Sequence, residues 1–385
     1  MEKISGFKAS WIDFESGLYR DSFSISEDGH ILSRPSANAI ALPSNLVVIP
    51  GFIDEHIHGA AGFDVMDASA ASLTGLTKAL PQEGVTAFLA TTMSCSNEAI
   101  INAIKAVVAF QKSPTPGAMI AGLHLEGPFL SKVHAGAQDP GVIRPFDPVS
   151  FAAYLSAAEG QIREMTFAYE ENGKVGLAEL LKNGVTPSIG HSDCTAELFK
   201  EGIEAGLHCS THTYNAMRGF QHREPGIVGE VLLNDDVNAE LIADGIHVSP
   251  DAIRLLFKCK KKENIILISD STEAKYLPLG EYTLGGTPIF LKDGVARLKD
   301  GTIAGSVLRL DTALKNIHQW VPSYSFEDLI KLVTLNPAKN LHLDKTMGSI
   351  APHKLANLTI IDHDFNVYAT IVKGEVVYCK EGFCL

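Results

Sequence analysis

The sequence predicts an α/β protein: a (β/α)8 TIM-like barrel with a small β-sandwich domain built from both chain termini. Three observations predict it. Six short apolar runs each end on a residue that can bind a metal or move a proton: VVIPGFIDEHIH on His56 and His58, MIAGLHLE on Glu126, VTPSIGH on His191, GLHCSTH on His212, ELIAD on Asp244 and IILISD on Asp270. Helical stretches separate these runs, and a parallel barrel presents its chemistry at the C-terminal ends of such strands. The two ends of the chain share a different texture, short β-like pieces between turn residues.

The N-terminal pieces are ISGFKASWID, SFSISEDG and HILSRPS, punctuated by Gly17, Gly29 and Pro43. The tail repeats the pattern in GSIAPHKLANLTIID and NVYATIVKGEVVY, with Gly348 and Gly374 at turn positions. The small domain is therefore expected from residues 1–50 plus 346–385, and the barrel from 51–345. Within the barrel, helices are expected over SLTGLTKALPQEG, NEAIINAIKAVVAFQK, AELFKEGIEAG, PDAIRLLFKCK and LRLDTALKNIHQWV, with Ser96 and Ser249 as N-caps. The fourth strand is expected at MTFAYEE. The segment GEYTLGGTPIFLKDGVARLKDGTIAG breaks the alternation, and its Gly285–Gly286, Asp293–Gly294 and Asp300–Gly301 pairs mark a β-hairpin insertion near the eighth strand.

Bulk properties exclude several classes. A net charge of −13 over 385 residues disfavours nucleic acid or an anionic membrane surface as partner. An anionic substrate would need a local cluster of donors. The six cysteines (Cys95, Cys194, Cys209, Cys259, Cys379, Cys384) form no CxxC pair, which reads as a reduced cytoplasmic protein. The start MEKISGFKAS has no apolar leader, and no run of 18 apolar residues is present, so a cytosolic, unprocessed chain is expected.

His56 and His58, two residues apart on a strand, face the same side. With Glu126, His191 and His212 they make an N/O donor set suited to a divalent ion: zinc, iron(II), manganese or cobalt. The following GAAGFD run lets backbone approach a ligand closely. Taken alone, HxH is also a common pattern of core or surface histidines, and Asp270 in SDST also reads as a helix-entry cap. Asp244 has a natural role in orienting His247.

HLEGP, GHS, THTYNAM, HREPG, IADGIHV and ISD, in this order, resemble the amidohydrolase superfamily. Within it the chain is similar to the N-acetylglucosamine-6-phosphate deacetylase family and its N-acetylgalactosamine-6-phosphate sister. The likeness runs from PGFID to the terminal strands. It implies metal ligation by Glu126, His191 and His212 and acid–base catalysis by Asp270. Retained His56 and His58 imply that a second ion fits, with Glu126 bridging. Glu170 and Glu171 at the fourth strand offer no lysine for a carbamate bridge, which argues against dihydroorotase-like members. The resemblance further implies sugar-phosphate binding by Asn215, Ala216, Arg223 and His247 and by the loop Ile303–Ala304–Gly305–Ser306, with Ala137 and Gln138 beside the acyl group. Arg223 would reach a neighbour's site in a homodimer.

The implied reaction is deacetylation of an N-acetylhexosamine 6-phosphate by water activated at the metal. Gln138 stands where the family carries histidine; its amide can donate a hydrogen bond but carries no charge. His134 and His222 are candidates to compensate, and the chemistry is expected to survive. Tyr169, where relatives commonly carry proline, is assigned no consequence. Three readings stay open at this level: the gluco or galacto deacetylase, an amidohydrolase for another N-acyl or cyclic amide lacking phosphate, and a scaffold that kept the barrel without the reaction.

Overall fold

The computed structural model describes residues 3–14, 17–32, 38–383 and 385. Cys384 and Ser33–Ser36 of the HILSRPS piece lie outside the described residues. Eight parallel strands stand in chain order: Phe52–Ile57, Val85–Thr92, Met119–Glu126, Ile162–Phe167, Thr186–Ile189, Cys209–Ser210, Asn238–Leu241 and Ile265–Leu267. We refer to them as the first to eighth barrel strands. Each is followed by a helix: Ala70–Ala79, Asn97–Lys112, Pro148–Ala158, Gly173–Lys182, Ala196–Glu204, Gly226–Leu233, Pro250–Cys259 and Leu310–Trp320.

The first and eighth strands close the ring differently at its two ends. At the mouth, Asp270 N–H donates to the His56 carbonyl at 2.8 Å and His58 N–H to the Ser271 carbonyl at 3.0 Å. At the floor the chain beyond the last barrel helix slots between them: Ile53 donates to Val333 O at 2.8 Å and Leu267 to Leu332 O at 3.0 Å. The mouth thus stays free for side chains while the floor is filled.

Ser96 and Ser249 cap their helices, accepting from Ala99 N–H at 3.2 Å and Ala252 N–H at 3.3 Å; such a cap contributes about 1 kcal/mol. Ile100, Ala103, Ile104, Val107 and Val108 bury one face of the second helix at three- and four-residue spacing. Three barrel helices escape the sequence pattern. Pro148–Ala158 is alanine-rich, although Asp147 caps it through Val149 and Ser150 N–H at 3.1 and 3.0 Å. Gly173–Lys182 opens on glycine without a side-chain cap, and Gly226–Leu233 is apolar on nearly every face.

The terminal strands form one eight-stranded sheet, in the order Glu375–Cys379, Val367–Val372, Leu358–Ile361, Val47–Pro50, Gly6–Asp13, Gly17–Ile25, Ile31–Leu32, with Ile40–Ala41 also paired to Gly6–Asp13. Val47–Pro50 is buried on both faces, and its period-two alternation divides the work. Val47 and Ile49 join the barrel core, whereas Leu46 and Val48 join Phe7, Phe23, Leu358 and Ile371 in a second core.

The insertion after the eighth barrel strand has three strands, Gly280–Leu284, Thr287–Lys292 and Val295–Arg297, one more than a hairpin. Both connecting pairs, Gly285–Gly286 (φ 55° and 87°) and Asp293–Gly294 (φ 53° and 78°), take the left-handed conformations of two-residue turns. Leu284, Ile289, Leu291 and Ala296 pack with Met93 from the second strand's end, roofing one side of the mouth. Among the described residues no helix is long and apolar enough to cross a membrane.

Candidate metal centre and active site

Glu126 ends the third barrel strand, and four imidazoles converge on its carboxylate. Oε1 lies 3.1 Å from His191 Nε2 and 3.2 Å from His212 Nε2, and those two nitrogens lie 3.1 Å apart. Oε2 lies 3.3 Å from His58 Nε2, and His56 Nε2 is 3.5 Å from Oε1. Asp270 Oδ1 completes the second half, 3.3 Å from His58 Nε2 and 3.5 Å from His56 Nε2. Every one of these groups is buried.

All four rings turn Nε2 inward, and on three of them the far nitrogen has a partner. His56 Nδ1 faces Glu240 Oε2 at 3.3 Å, His58 Nδ1 the Thr91 carbonyl at 3.3 Å, and His191 Nδ1 the His134 carbonyl at 2.8 Å. A carboxylate or carbonyl on the far nitrogen fixes the tautomer a metal ligand needs. The spacing fits an ion as well. Ligands about 2.0–2.1 Å from a tetrahedral ion lie roughly 3.3 Å from one another, close to the 3.1–3.2 Å of the Glu126–His191–His212 group. His56 Nε2 is a fully buried nitrogen without a hydrogen-bond partner. The donor set therefore fits a divalent ion at Glu126, His191 and His212, and a second at Glu126, His56 and His58.

The electrostatics agree. Burial alone would raise the Glu126 carboxyl, but His191, His212, His56 and His58 hold it well below its ordinary value. Burial opposes charge on His56, yet Asp270, Glu126 and Glu240 outweigh it and lift the imidazole to about 9. His58 is raised well above its ordinary value, against burial, by Asp270 and Glu126. Asp270, which burial would raise, is kept low by His56 and His58. In the protein without metal, protons on imidazoles occupy the electrostatic role that a cation would take.

His191 (φ 46°), His212 (φ 32°) and Asp270 (φ 48°) all sit in the left-handed backbone region, as does Ala216 (φ 46°). Each such residue costs on the order of 1–3 kcal/mol and persists where surrounding structure holds it. Here the turn just past a short strand aims the side chain back over the barrel axis.

A cavity lined by His58, Glu126, His191, His212 and Asp270 also takes in Ala137, Gln138, Asn215, Ala216, His247, Ile303 and Gly305. Ala304 turns away into the core of the insertion. Arg223 stands apart, exposed on the Gln221–Glu224 turn and outside its own cavity. Gln138 is held rigidly: Ser94 N–H donates to Oε1 at 2.8 Å, which directs Nε2 onto Glu126 Oε2 at 2.5 Å. That donor is thus committed to Glu126. Of the compensating candidates, His134 places its ring on Asp193 at 3.0 Å, and His222 is exposed beside Arg223. Asp244 accepts from His247 Nδ1 at 2.6 Å and from the backbone N–H groups of Ile246 and His247 at 2.8 Å. Glu170 accepts from Ser192 Oγ at 2.6 Å and from Asp193 N–H, orienting the loop after His191.

Two contributors were missed from sequence. Glu240 holds both His56 Nδ1 and, at 3.1 Å, the His212 N–H. His124 packs edge-on against His56 at 4.6 Å between centroids, and burial with the neighbouring His56 charge keeps it well below the ordinary imidazole range. A charged residue inside the apolar run AELIA was the available signal for Glu240.

Imidazoles and carboxylates gathered at the mouth of a (β/α)8 barrel define a metal-dependent hydrolase. The amidohydrolase family matches residues 47–377, and the chain belongs to that family. More closely, it is 39% identical over 353 residues to the N-acetylglucosamine-6-phosphate deacetylase of Bacillus subtilis (strain 168), covering 90% of this chain and 89% of that one. It is 33% identical over 331 residues to the N-acetylgalactosamine-6-phosphate deacetylase of Escherichia coli O157:H7, covering 86% and 87%. Among solved structures, the N-acetylglucosamine-6-phosphate deacetylase of Thermotoga maritima superposes with a TM-score of 0.88 at 36% identity over 97% of this chain and 99% of that one. A variant of the Mycobacterium smegmatis enzyme in complex with N-acetyl-D-glucosamine 6-phosphate gives 0.90 at 28% identity, covering 98% and 100%.

Proposed function

We propose that the chain hydrolyses N-acetylglucosamine 6-phosphate to glucosamine 6-phosphate and acetate. The observation that carries this reading is the convergence of Glu126, His191 and His212 within 3.1–3.2 Å, with Asp270 on the adjoining side of the same cavity. One or two divalent ions (zinc, iron(II), manganese or cobalt) held there would polarise the acetamido carbonyl and acidify water. Asp270 accepts the proton of the attacking water and passes it to the amide nitrogen as the C–N bond breaks, because an unprotonated amine leaves poorly. Gln138 keeps Glu126 in its ligating rotamer. His247, backed by Asp244, meets the phosphate together with Asn215 and the backbone at Ala216.

Arg223 serves the neighbouring subunit of a homodimer in this reading. Its exposure, three residues from Phe220 at 60%, supports that role. A reduced cytoplasmic setting agrees with the free thiols Cys95, Cys194, Cys209 and Cys259.

Acetate release tests the function, using N-acetylglucosamine with and without 6-phosphate and the galacto epimer. The phosphorylated gluco sugar should exceed the unphosphorylated one in kcat/KM by about 100-fold or more, the equivalent of roughly 3 kcal/mol in charge contacts. Equal rates on the free sugar would remove the phosphate from the reading, and preference for the galacto epimer would move it to the sister activity.

A pH dependence follows from His247. Burial disfavours its charge, but Asp244 raises it above the ordinary imidazole value. A raised value means the cation persists to higher pH than in an ordinary imidazole and is lost as pH rises through the shifted value. KM for the phosphorylated sugar should therefore climb on the alkaline side, and His247→Gln should abolish that climb while raising KM at neutral pH. A climb of equal size in the variant would exclude His247 as its source.

A further inference from the structure

We infer that the barrel holds a second, separate cation site one layer beneath the cavity, built from Glu55, Glu164, Glu240 and Cys209. These residues come from the first, fourth, seventh and sixth strands, and their ligand atoms lie within 4.8 Å of one another. All four side chains are fully buried.

The acidic side chains are anchored so that free oxygens remain. Asn340 Nδ2 donates to Glu55 Oε1 at 3.1 Å, leaving Glu55 Oε2 unpartnered. Glu240 Oε2 faces His56 and accepts from His212 N–H, leaving Oε1 unpartnered. Neither oxygen of Glu164 has a hydrogen-bond partner among the described residues, and the polar side chains of Cys209 and Ser188 lie beside it. Cys209 Sγ accepts from Asn340 Nδ2 at 3.7 Å, and Asn238 Nδ2 fixes that amide's orientation through Asn340 Oδ1 at 2.9 Å. Ligands whose far sides are pinned by amides and backbone donors have the outer support of a metal site.

Native proteins rarely leave such atoms without a partner. A buried unpaired carboxylate costs several kcal/mol, and among the described residues no lysine or arginine pairs with these. Protons shared between neighbouring carboxyls are the competing way to neutralise the cluster. One cation would satisfy all four free oxygens together. A thiol beside carboxylates selects a first-row divalent ion such as zinc or cobalt over magnesium or calcium, and on coordination the thiol loses its proton.

The site differs from the catalytic one in having sulfur, and cobalt distinguishes them, because cobalt(II) bound to thiolate absorbs in the near ultraviolet. The protein is purified without chelator from cells supplied with cobalt, then measured for metal per subunit and for that absorption. Wild type should show the thiolate band. Cys209→Val should lose the band, Glu164→Met should lose one ion per subunit, and His191→Asn should keep the band while its catalytic centre loses metal. Anomalous diffraction at the metal edge from wild-type crystals should place a peak between the four side chains, whether or not the variants fold. No band and no peak there, with the catalytic centre loaded, overturns the inference; an infrared carbonyl stretch of protonated carboxyls lost in Glu164→Met would then assign protons to the cluster.

Discussion

Asp270→Asn is expected to lower kcat by about 10²–10⁴-fold, the range spanned by a positioned proton carrier, with little change in metal content. The carboxylate is buried, and His56 and His58 keep it ionised at neutral pH against the effect of burial. It can therefore receive a proton when water attacks. Asparagine matches its shape and keeps an oxygen near His58 Nε2, but cannot carry the proton onward to nitrogen. Asparagine is also the informative substitution for the backbone. Position 270 has φ 48°, which asparagine adopts more readily than most residues. Its N–H to His56 O at 2.8 Å and its carbonyl from Ser306 N–H at 2.7 Å both survive. Acetate release and metal analysis on the same sample check the result. A kcat within roughly tenfold of wild type would leave Asp270 a structural cap at the barrel seam.

The barrel was legible because six of its eight strands belong to short apolar runs that end on a residue able to bind a metal or move a proton. Two physical facts hid the rest. Periodicity finds a helix only when one face differs from the other, and Gly226–Leu233 and Pro148–Ala158 lack that contrast. Backbone strain leaves no residue signature when it falls on histidine: nothing in GHS or STH announces the left-handed φ of His191 and His212. Support from behind is signalled for Glu240 alone, by a charge inside an apolar run. The partners that give Glu240, Glu55 and Glu164 their roles lie on strands far away in the chain. Arg223 reads in HREPG as a phosphate ligand, yet its exposed turn shows that one chain alone does not bring it to the cavity.

Glu126→Gln should do more than abolish turnover: it should invert the pH dependence of stability in the metal-free protein. Glutamine keeps the shape but removes the charge facing four imidazoles, so metal content should fall and activity with it, by about 10³-fold or more if one preorganised electrostatic contact is the guide. In metal-free wild type, His56 is raised to about 9. A raised value contributes stability that is full below the unfolded value near 6.5 and is lost as pH climbs through 9, on the order of 3 kcal/mol for this ring. Glu126 is depressed, so its contribution is present above the unfolded carboxylate value and disappears in acid. Metal-free wild type should therefore be most stable between mildly acidic and neutral pH, with Tm falling from pH 6.5 towards 9. Without the Glu126 charge, protonated His56 and His58 repel each other, so the variant should lose stability chiefly below neutrality and approach wild type in alkali. Thermal melts of both proteins after chelation, across that range, measure the difference. Parallel curves would mean that imidazole protons do not balance Glu126, and the electrostatic account of the centre would fail with them.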